Sequence, residues 1–511
     1  MTILHYIFIA LEVVLIFNLI IGVHELGHFL AARWRGLKVD RFAIWFGKPI
    51  WKKKIGGVEY VLGSIPFGGY VALPQMATME IIEGKSGEPE EKTIKPFAER
   101  VGGDLKETKI DALPNVSALD KIIVAFAGPL FSFGLAFLFA LIVWSVGKPS
   151  NEADNSTLIG WVMPDGPAWQ AGLRPGDKIV SVDGHPVKNF LPTGSLSDSI
   201  KWRIITGTSD KVAIQYVRDE KEMPPAYVVP TNLPTKWYER KSLRQILVSS
   251  ANRAIIYQIV SNSPAALGGL KPGDEVTAMN GEKIYSSDAI DYAQQAMSNG
   301  VVKPLTFAIR RGDEKFERTL IPVRPEQPTN APPLVGIVSW QGDTNVMLVH
   351  PGPFQQIETS AGQIFSTLGA LFASKSQLGV QQLGGAVMIA RVYYNLFQDD
   401  DAWRRVLWFS VVLNVNLALL NLLPLPVLDG GHITLSLIEV VRRRPVSARI
   451  LNFIQNGFAA LLITFMVYIA FFDIGDWVRR ARADRDVPIT FAPAGAGAMP
   501  DGKPVNIAPL N

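Results

Sequence analysis

His24, Glu25 and His28 stand in the order His-Glu-x-x-His. On a helix, residues at i and i+4 share a face, so both imidazoles can reach one metal ion. Glu25 is one position on from His24, near enough to reach a metal-bound water. This is the pairing of ligands and base that metal-assisted hydrolysis needs, and the ion it suits is zinc. A catalytic zinc site usually has three protein ligands and one open position. The chain has no cysteine and six histidines, so the third ligand must be His, Asp or Glu. The segment Asn421 to His432 offers Asp429, with His432 as its rival. Asp-Gly-Gly is also good turn sequence, and Asp429 could simply cap a following helix.

The segments that must position these groups are apolar. Ile122 to Val146, Val406 to Leu428 and Ile450 to Phe472 carry no charge, and Ile3 to about Ala32 is mostly apolar. A membrane span needs about 20 such residues, so four transmembrane helices are expected. An ionisable cluster inside a span is costly and reads as functional. At 1.5 Å per residue, His24 and Asp429 each lie about 32–35 Å along spans one and three, with Asp429 closing the third. Pro424 and Pro426 should break that helix, which is tolerated at membrane depth only where backbone is packed in protein or lines a wet cavity.

Arg33, Arg35, Lys38 and Arg41 follow the first span, and Arg442, Arg443, Arg444 and Arg449 fill the loop before the fourth. By the positive-inside rule both places are cytoplasmic. Both termini and the long segment from about Lys148 to Trp403 then face outward, and the metal cluster sits near the cytoplasmic side. Arg479, Arg480, Arg482 and Arg485 oppose this, but four spans require both ends to share a side.

At 511 residues and 56.1 kDa the chain is long enough for three or four units. Charged residues make up only 19%, and mean hydropathy is +0.18, as membrane spans require. A net charge of +4 is too balanced for a protein that coats nucleic acid. The lack of thiols excludes disulfide scaffolds, thiolate metal sites and cysteine nucleophiles, and fits an oxidising compartment.

The outward segment contains a repeat. GPAWQAGLRPGDKIVSVDGHPV at 166–187 matches SPAALGGLKPGDEVTAMNGEKI at 263–284, offset by 97 residues without a gap. Each copy reads as turn, strand, tight turn, strand. The pattern resembles the PDZ domain, which binds extended peptides by adding a strand to a sheet edge. Ile159-Gly160-Trp161 is a weak candidate for the carboxylate-binding loop. The copies could equally be spacers or size filters.

The whole chain resembles the site-2 intramembrane zinc metalloproteases of peptidase family M50, within them the bacterial sigma-E-regulating group. The residues that carry this are His24 to His28, Phe-Gly-Gly-Tyr at 67–70, Ala-Gly-Pro at 127–129, the tandem repeat, and Asn421 to Gly431. The resemblance implies Zn2+ held by His24, His28 and Asp429, favouring Asp429 over His432, with Glu25 as general base. It implies that Asn421 helps hold the substrate, and Pro424, Pro426, Gly68 and Gly69 are grouped with it. It also implies a membrane-associated β element, here about 39–73.

The expected fold is a polytopic α-helical membrane protein with four transmembrane helices, that β element and two tandem periplasmic PDZ domains. The first membrane part spans 1–150, with spans at about 3–32 and 122–146 and a cytoplasmic loop at about 78–118. The PDZ domains span 151–238 and 239–330. A connector with amphipathic helices at the outer surface spans 331–403. The second membrane part, 404–478, holds spans at about 406–428 and 450–472, and 479–511 is expected to be a disordered tail. The implied activity is cleavage within single-pass proteins of the bacterial inner membrane already trimmed on the outer side, such as anti-sigma factors and signal-peptide remnants. Implied partners are those substrates, the lipid bilayer and peptide ligands of the PDZ domains, with no nucleic acid. The rival reading is a non-catalytic PDZ membrane scaffold with a relic metal site.

Overall fold

The computed structural model describes residues 3–74, 116–150, 155–191, 196–298, 300–341, 347–373, 376–398, 401–443, 448–483 and 488–492. The charged loop expected at about 78–118 therefore lies almost wholly outside the described residues. The chain divides into two compact units: Met1–Pro149 with Val349–Phe365 and Leu383–Asp473, and Ser150–Leu348 with Ser366–Gln382 and Ile474–Asn511.

The first unit is built on helices. Among the described residues, four are long and apolar enough to cross a membrane, over Ile7–Trp34, Ala118–Val146, Ala402–Asn421 and Phe453–Ala481. They belong to α1 (Ile3–Trp34), α2 (Ala118–Val146), α4 (Ala402–Asn421) and α6 (Ala448–Ala483). The Ser117 hydroxyl caps α2 by accepting from the Asp120 amide. Small residues let helices approach closely in lipid. At the α1–α2 crossing, a Cβ on Gly27 would overlap the Ala127 carbonyl. A shorter helix, α3 (Ala386–Leu396), packs on α4, where the buried Tyr393 hydroxyl meets the Ser410 hydroxyl at 2.8 Å.

Between α1 and α2 the chain makes four strands: β1 (Arg41–Phe46), β2 (Trp51–Ile55), β3 (Val58–Leu62) and β4 (Ile65–Ala72). Their order is β2-β3-β1-β4, with β1 parallel to β3 and antiparallel to β4. β4 is thus an edge strand. Phe29 of α1 stacks edge-on against Phe42 and Tyr60, which fastens the sheet to the helix.

The third span departs from its sequence reading. Instead of one helix over 406–428, α4 ends at Asn421, residues 422–428 form an irregular loop, and α5 (Asp429–Arg442) begins anew. Asp429 opens a helix rather than closing one. Pro424 and Pro426 supply no backbone donor, so the helix cannot continue through them. The loop folds back tightly: a Cβ on Gly430 would overlap the Leu422 and Leu423 carbonyls, and one on Gly431 the Leu425 carbonyl. Only glycine fits positions 430 and 431, directly after Asp429.

The second unit holds two modules that repeat each other in three dimensions. Lys178–Val182 and Glu275–Met279 are equivalent strands at the 97-residue offset, as are His185–Pro186 and Glu282–Lys283. The stretch read as an opening turn is a short helix in both, Pro167–Gln170 and Pro264–Leu267. Asp177 takes a bidentate pair from Arg218, at 2.6 and 2.8 Å, and the Arg174 amide. Asp274 does the same with Arg311 and the Lys271 amide. Burial alone would raise the Asp274 carboxyl, but these donors bring it below its ordinary value.

Three boundaries differ from expectation. The first module's core includes Ile246, and Val248–Ser250 pairs with Ile159–Val162, so it extends past 238. The second includes Val335, and Ile337–Gln341 pairs with Ala254–Ile259, so it extends past 330. The reason is shared: each module needs a last strand to close its core. The expected tail from 479 is helical to Ala483, and Thr490 makes two backbone hydrogen bonds across the 326–327 segment. Ile159-Gly160-Trp161 is a strand, not a loop, and bare Gly160 lets the backbone of 250–251 pass over it.

Candidate metal centre

α1 brings His24 and His28 to one face, one turn apart. Their Nε2 atoms are 3.3 Å from each other. Asp429 Oδ2 lies 3.2 Å from His24 Nε2, and Oδ1 3.4 Å from His28 Nε2. Among the described residues, these three form the group whose ligand atoms all lie within 4.8 Å of one another. His432 lines the same cleft but is outside that group.

The ring orientations are set from α2. His28 Nδ1 is 2.8 Å from the Val124 carbonyl, which can only accept, so Nδ1 carries the proton and Nε2 presents a lone pair. His24 Nδ1 meets the buried Ser132 hydroxyl at 3.0 Å. The site thus gathers an imidazole lone pair, a second imidazole and a carboxylate with little between them to balance the charge. Asp429 Oδ2 is buried and accepts no hydrogen bond. Convergent acceptors with an orphaned oxygen are what a divalent cation satisfies, so the residues fit a zinc ion. Gly128 makes the approach possible, because a Cβ there would overlap His28 Nε2. A buried ion pair at 3.2 Å, Lys121 of α2 with Glu439, fastens α5 and hence Asp429 to the same helix.

Glu25 lines the same cleft on the side of β4. Its carboxylate is within reach of the Val71 amide, and its Cγ lies 3.2 Å from where a Cβ on Gly69 would sit. Gly68 has φ +77 and lies under the Phe46 ring, so no other residue fits that position. A cleft of about 720 Å3 joins these parts: His24, Glu25, His28 and Asp429, with Gly68, Gly69 and Asn421 in its wall. Pro424 and Pro426 are not among its lining residues. Both lie in the 422–428 loop that leads to Asp429.

Sequence reasoning missed Ser132, Gly128 and the Val124 carbonyl. The Ala-Gly-Pro at 127–129 marked the right helix, but nothing in the spacing shows that a serine about 100 residues away meets His24.

The comparisons agree with this geometry. The chain is 27% identical to the regulator of sigma E protease of Haemophilus influenzae over 480 residues, 89% of this chain and 96% of the relative. It is 27% identical to the protease RseP of Yersinia pestis over 486 residues, again 89% and 96%. A Neisseria meningitidis protein whose name describes a zinc metalloprotease is 27% identical over 471 residues, with the same coverage. The sequence profile of peptidase family M50 matches residues 12–465. Spanning most of its length, that match makes the chain a member of peptidase family M50, a zinc metalloprotease.

Proposed function

We propose that the chain cleaves peptide bonds within the transmembrane segments of single-pass membrane proteins, with His24, His28 and Asp429 as zinc ligands and Glu25 as general base. The observation that carries this is Glu25 set between the three-ligand cluster and the edge strand β4, in one cleft of a membrane helix unit. Zinc bound there supplies Lewis-acid polarisation of the scissile carbonyl and a water acidic enough to lose a proton near neutral pH. Glu25 takes that proton on its carboxylate and delivers it to the leaving amine.

Peptide bonds in a membrane helix are hidden by their own hydrogen bonds, so the substrate must be unwound. The free edge of β4 can pair with an extended chain, and Gly68 and Gly69 keep that edge bare of side chains. Asn421, at the last turn of α4, offers an amide in the wall of the same cleft. The cleft lies near the cytoplasmic side of an inner membrane, with both termini and the second unit outside, by the distribution of basic residues.

The two modules are PDZ domains in tandem on this reading. Their equivalent strands at the 97-residue offset and their Asp–Arg clamps support a common fold. They screen out substrates with bulky outer domains, which suits targets already cut on the outer side. Anti-sigma factors fit, since a relative is named a regulator of sigma E protease, and signal-peptide remnants fit because they carry no outer domain. The test is reconstitution in lipid with a single-pass substrate, with and without its outer domain. Wild type should cut the trimmed form, and the Glu25→Gln form should retain it uncut. Equal cutting by both would mean that the chain itself is not the protease, and that the PDZ scaffold reading is right.

A further inference from the structure

The turn at 233–238 serves no part of the cleavage chemistry, yet it is built to project. The Glu239 amide donates to the Lys236 carbonyl at 3.0 Å, and the Glu239 carboxylate accepts from the Lys236 amide at 3.0 Å. At its tip Trp237 is 87% exposed, against 51% for Leu233. A tryptophan this bare in water is costly, because its large apolar surface gains nothing there.

What lies beside the turn says what covers it. Arg240 pairs with Asp476 of α6 at 2.7 Å and also donates to the Gln381 carbonyl. Asp476 has a definable depth. Ile450 to Phe472 of α6 carries no charge and at 1.5 Å per residue is about 34 Å long, enough to cross a hydrocarbon core of about 30 Å. Asp476 comes four residues later, about 6 Å beyond that stretch, at the level of the lipid headgroups. Trp237 is three residues from Arg240, so its Cα is within about 11 Å of it. Trp477, next to Asp476 on α6, is also bare, at 55% exposed. Lys236, Arg240 and Lys241 add positive charge to the rim. Tryptophan with flanking lysine and arginine is the composition of side chains that settle at a membrane interface.

We infer that the 233–238 turn is a membrane-interface anchor: Trp237 and Leu233 enter the headgroup zone of the bilayer crossed by α6, and Arg240–Asp476 holds the turn at that depth. The partner is the lipid surface itself. The anchor fixes the loop between the Ala226–Val228 and Val248–Ser250 strands of the first module, so that module is held close to the bilayer.

The lack of cysteine makes the test clean, because one introduced thiol carries one label. The full chain is purified with Leu233→Cys, leaving Trp237 in place, and reconstituted in phosphatidylcholine–phosphatidylglycerol nanodiscs with a polarity-sensitive fluorophore. Val301→Cys is the reference, since Val301 is 81% exposed on a loop of the second module. The Leu233 probe should be quenched by headgroup-level nitroxide lipid roughly threefold more than the Val301 probe, and be shielded from aqueous iodide. Adding Trp237→Ser or Arg240→Ala should move it back toward water. Iodide quenching equal to that at Val301, without nitroxide quenching, would overturn the anchor. Unchanged lipid quenching in both double variants would overturn the roles of Trp237 and Arg240.

Discussion

Asp177 in the second unit and Asp429 in the first are both acids withdrawn from water, and their surroundings treat them differently. Asp177 is 1% exposed and spends both oxygens on Arg218 and the Arg174 amide. Asp274 repeats that arrangement in the next module. Asp429 has no arginine. Its neighbours are two imidazoles already turned by partners on α2, and one of its oxygens accepts nothing. A buried charge left without a structural partner is expensive, so it persists only where something else satisfies it. The same residue type is thus a clamp in one unit and a candidate ligand in the other, and the difference lies in which neighbours the fold supplies.

Replacing the candidate ligand should break the contrast most completely. Asp429→Ala is expected to lose bound zinc and with it proteolysis, measured by metal analysis of the purified chain and by substrate cleavage. Zinc retained in full would move the third ligand to His432. Glu25→Gln separates base from ligand: cleavage should fall roughly 10²- to 10⁴-fold while zinc content stays as in wild type. Ser132→Ala should weaken zinc binding about 10- to 100-fold in a competition titration, because His24 loses the partner that orients its ring. An unchanged affinity would show that packing alone sets that ring.

On the clamp side, Asp177→Ala should leave zinc untouched and destabilise the first module by about 3 kcal/mol, read by denaturant unfolding, since it removes charged hydrogen bonds from a closed core. The smallest effect is on pH. Hydrogen bonds from Arg253, joined by Arg310, hold the Glu275 carboxyl below its ordinary value, as the donors around Asp274 do there. A lowered folded pKa stabilises above the unfolded value of about 4 and is lost as pH falls through the folded one. The second module's melting temperature should therefore drop on going from pH 5 to pH 3, and Glu275→Gln should flatten that slope.

The sequence made much of this legible. The spacing of His24 and His28 depends only on helix geometry, and four apolar stretches announce spans wherever they pack. The repeat at 97 residues survives as equivalent strands and a shared clamp, because turn chemistry is local. Other features were out of reach. No local signal showed that span three would stop at Asn421 and restart at Asp429, since prolines mark a break but not where the chain resumes. The 488–492 segment reads as tail, and only its pairing with 326–327 makes it part of the second unit.

What the sequence determined by itself was therefore the inventory: two histidines a turn apart, an acid in a glycine-flanked turn, and no thiol to compete for metal. What the tertiary structure decided was convergence. α2 supplies Ser132, the Val124 carbonyl and the gap at Gly128, β4 supplies an open edge beside Glu25, and a loop folded over Gly430 and Gly431 points Asp429 at the histidines. His24, Glu25 and His28 thereby meet residues about 45 to 400 positions away, and only the packing of helices and sheet against one another fixes such distances.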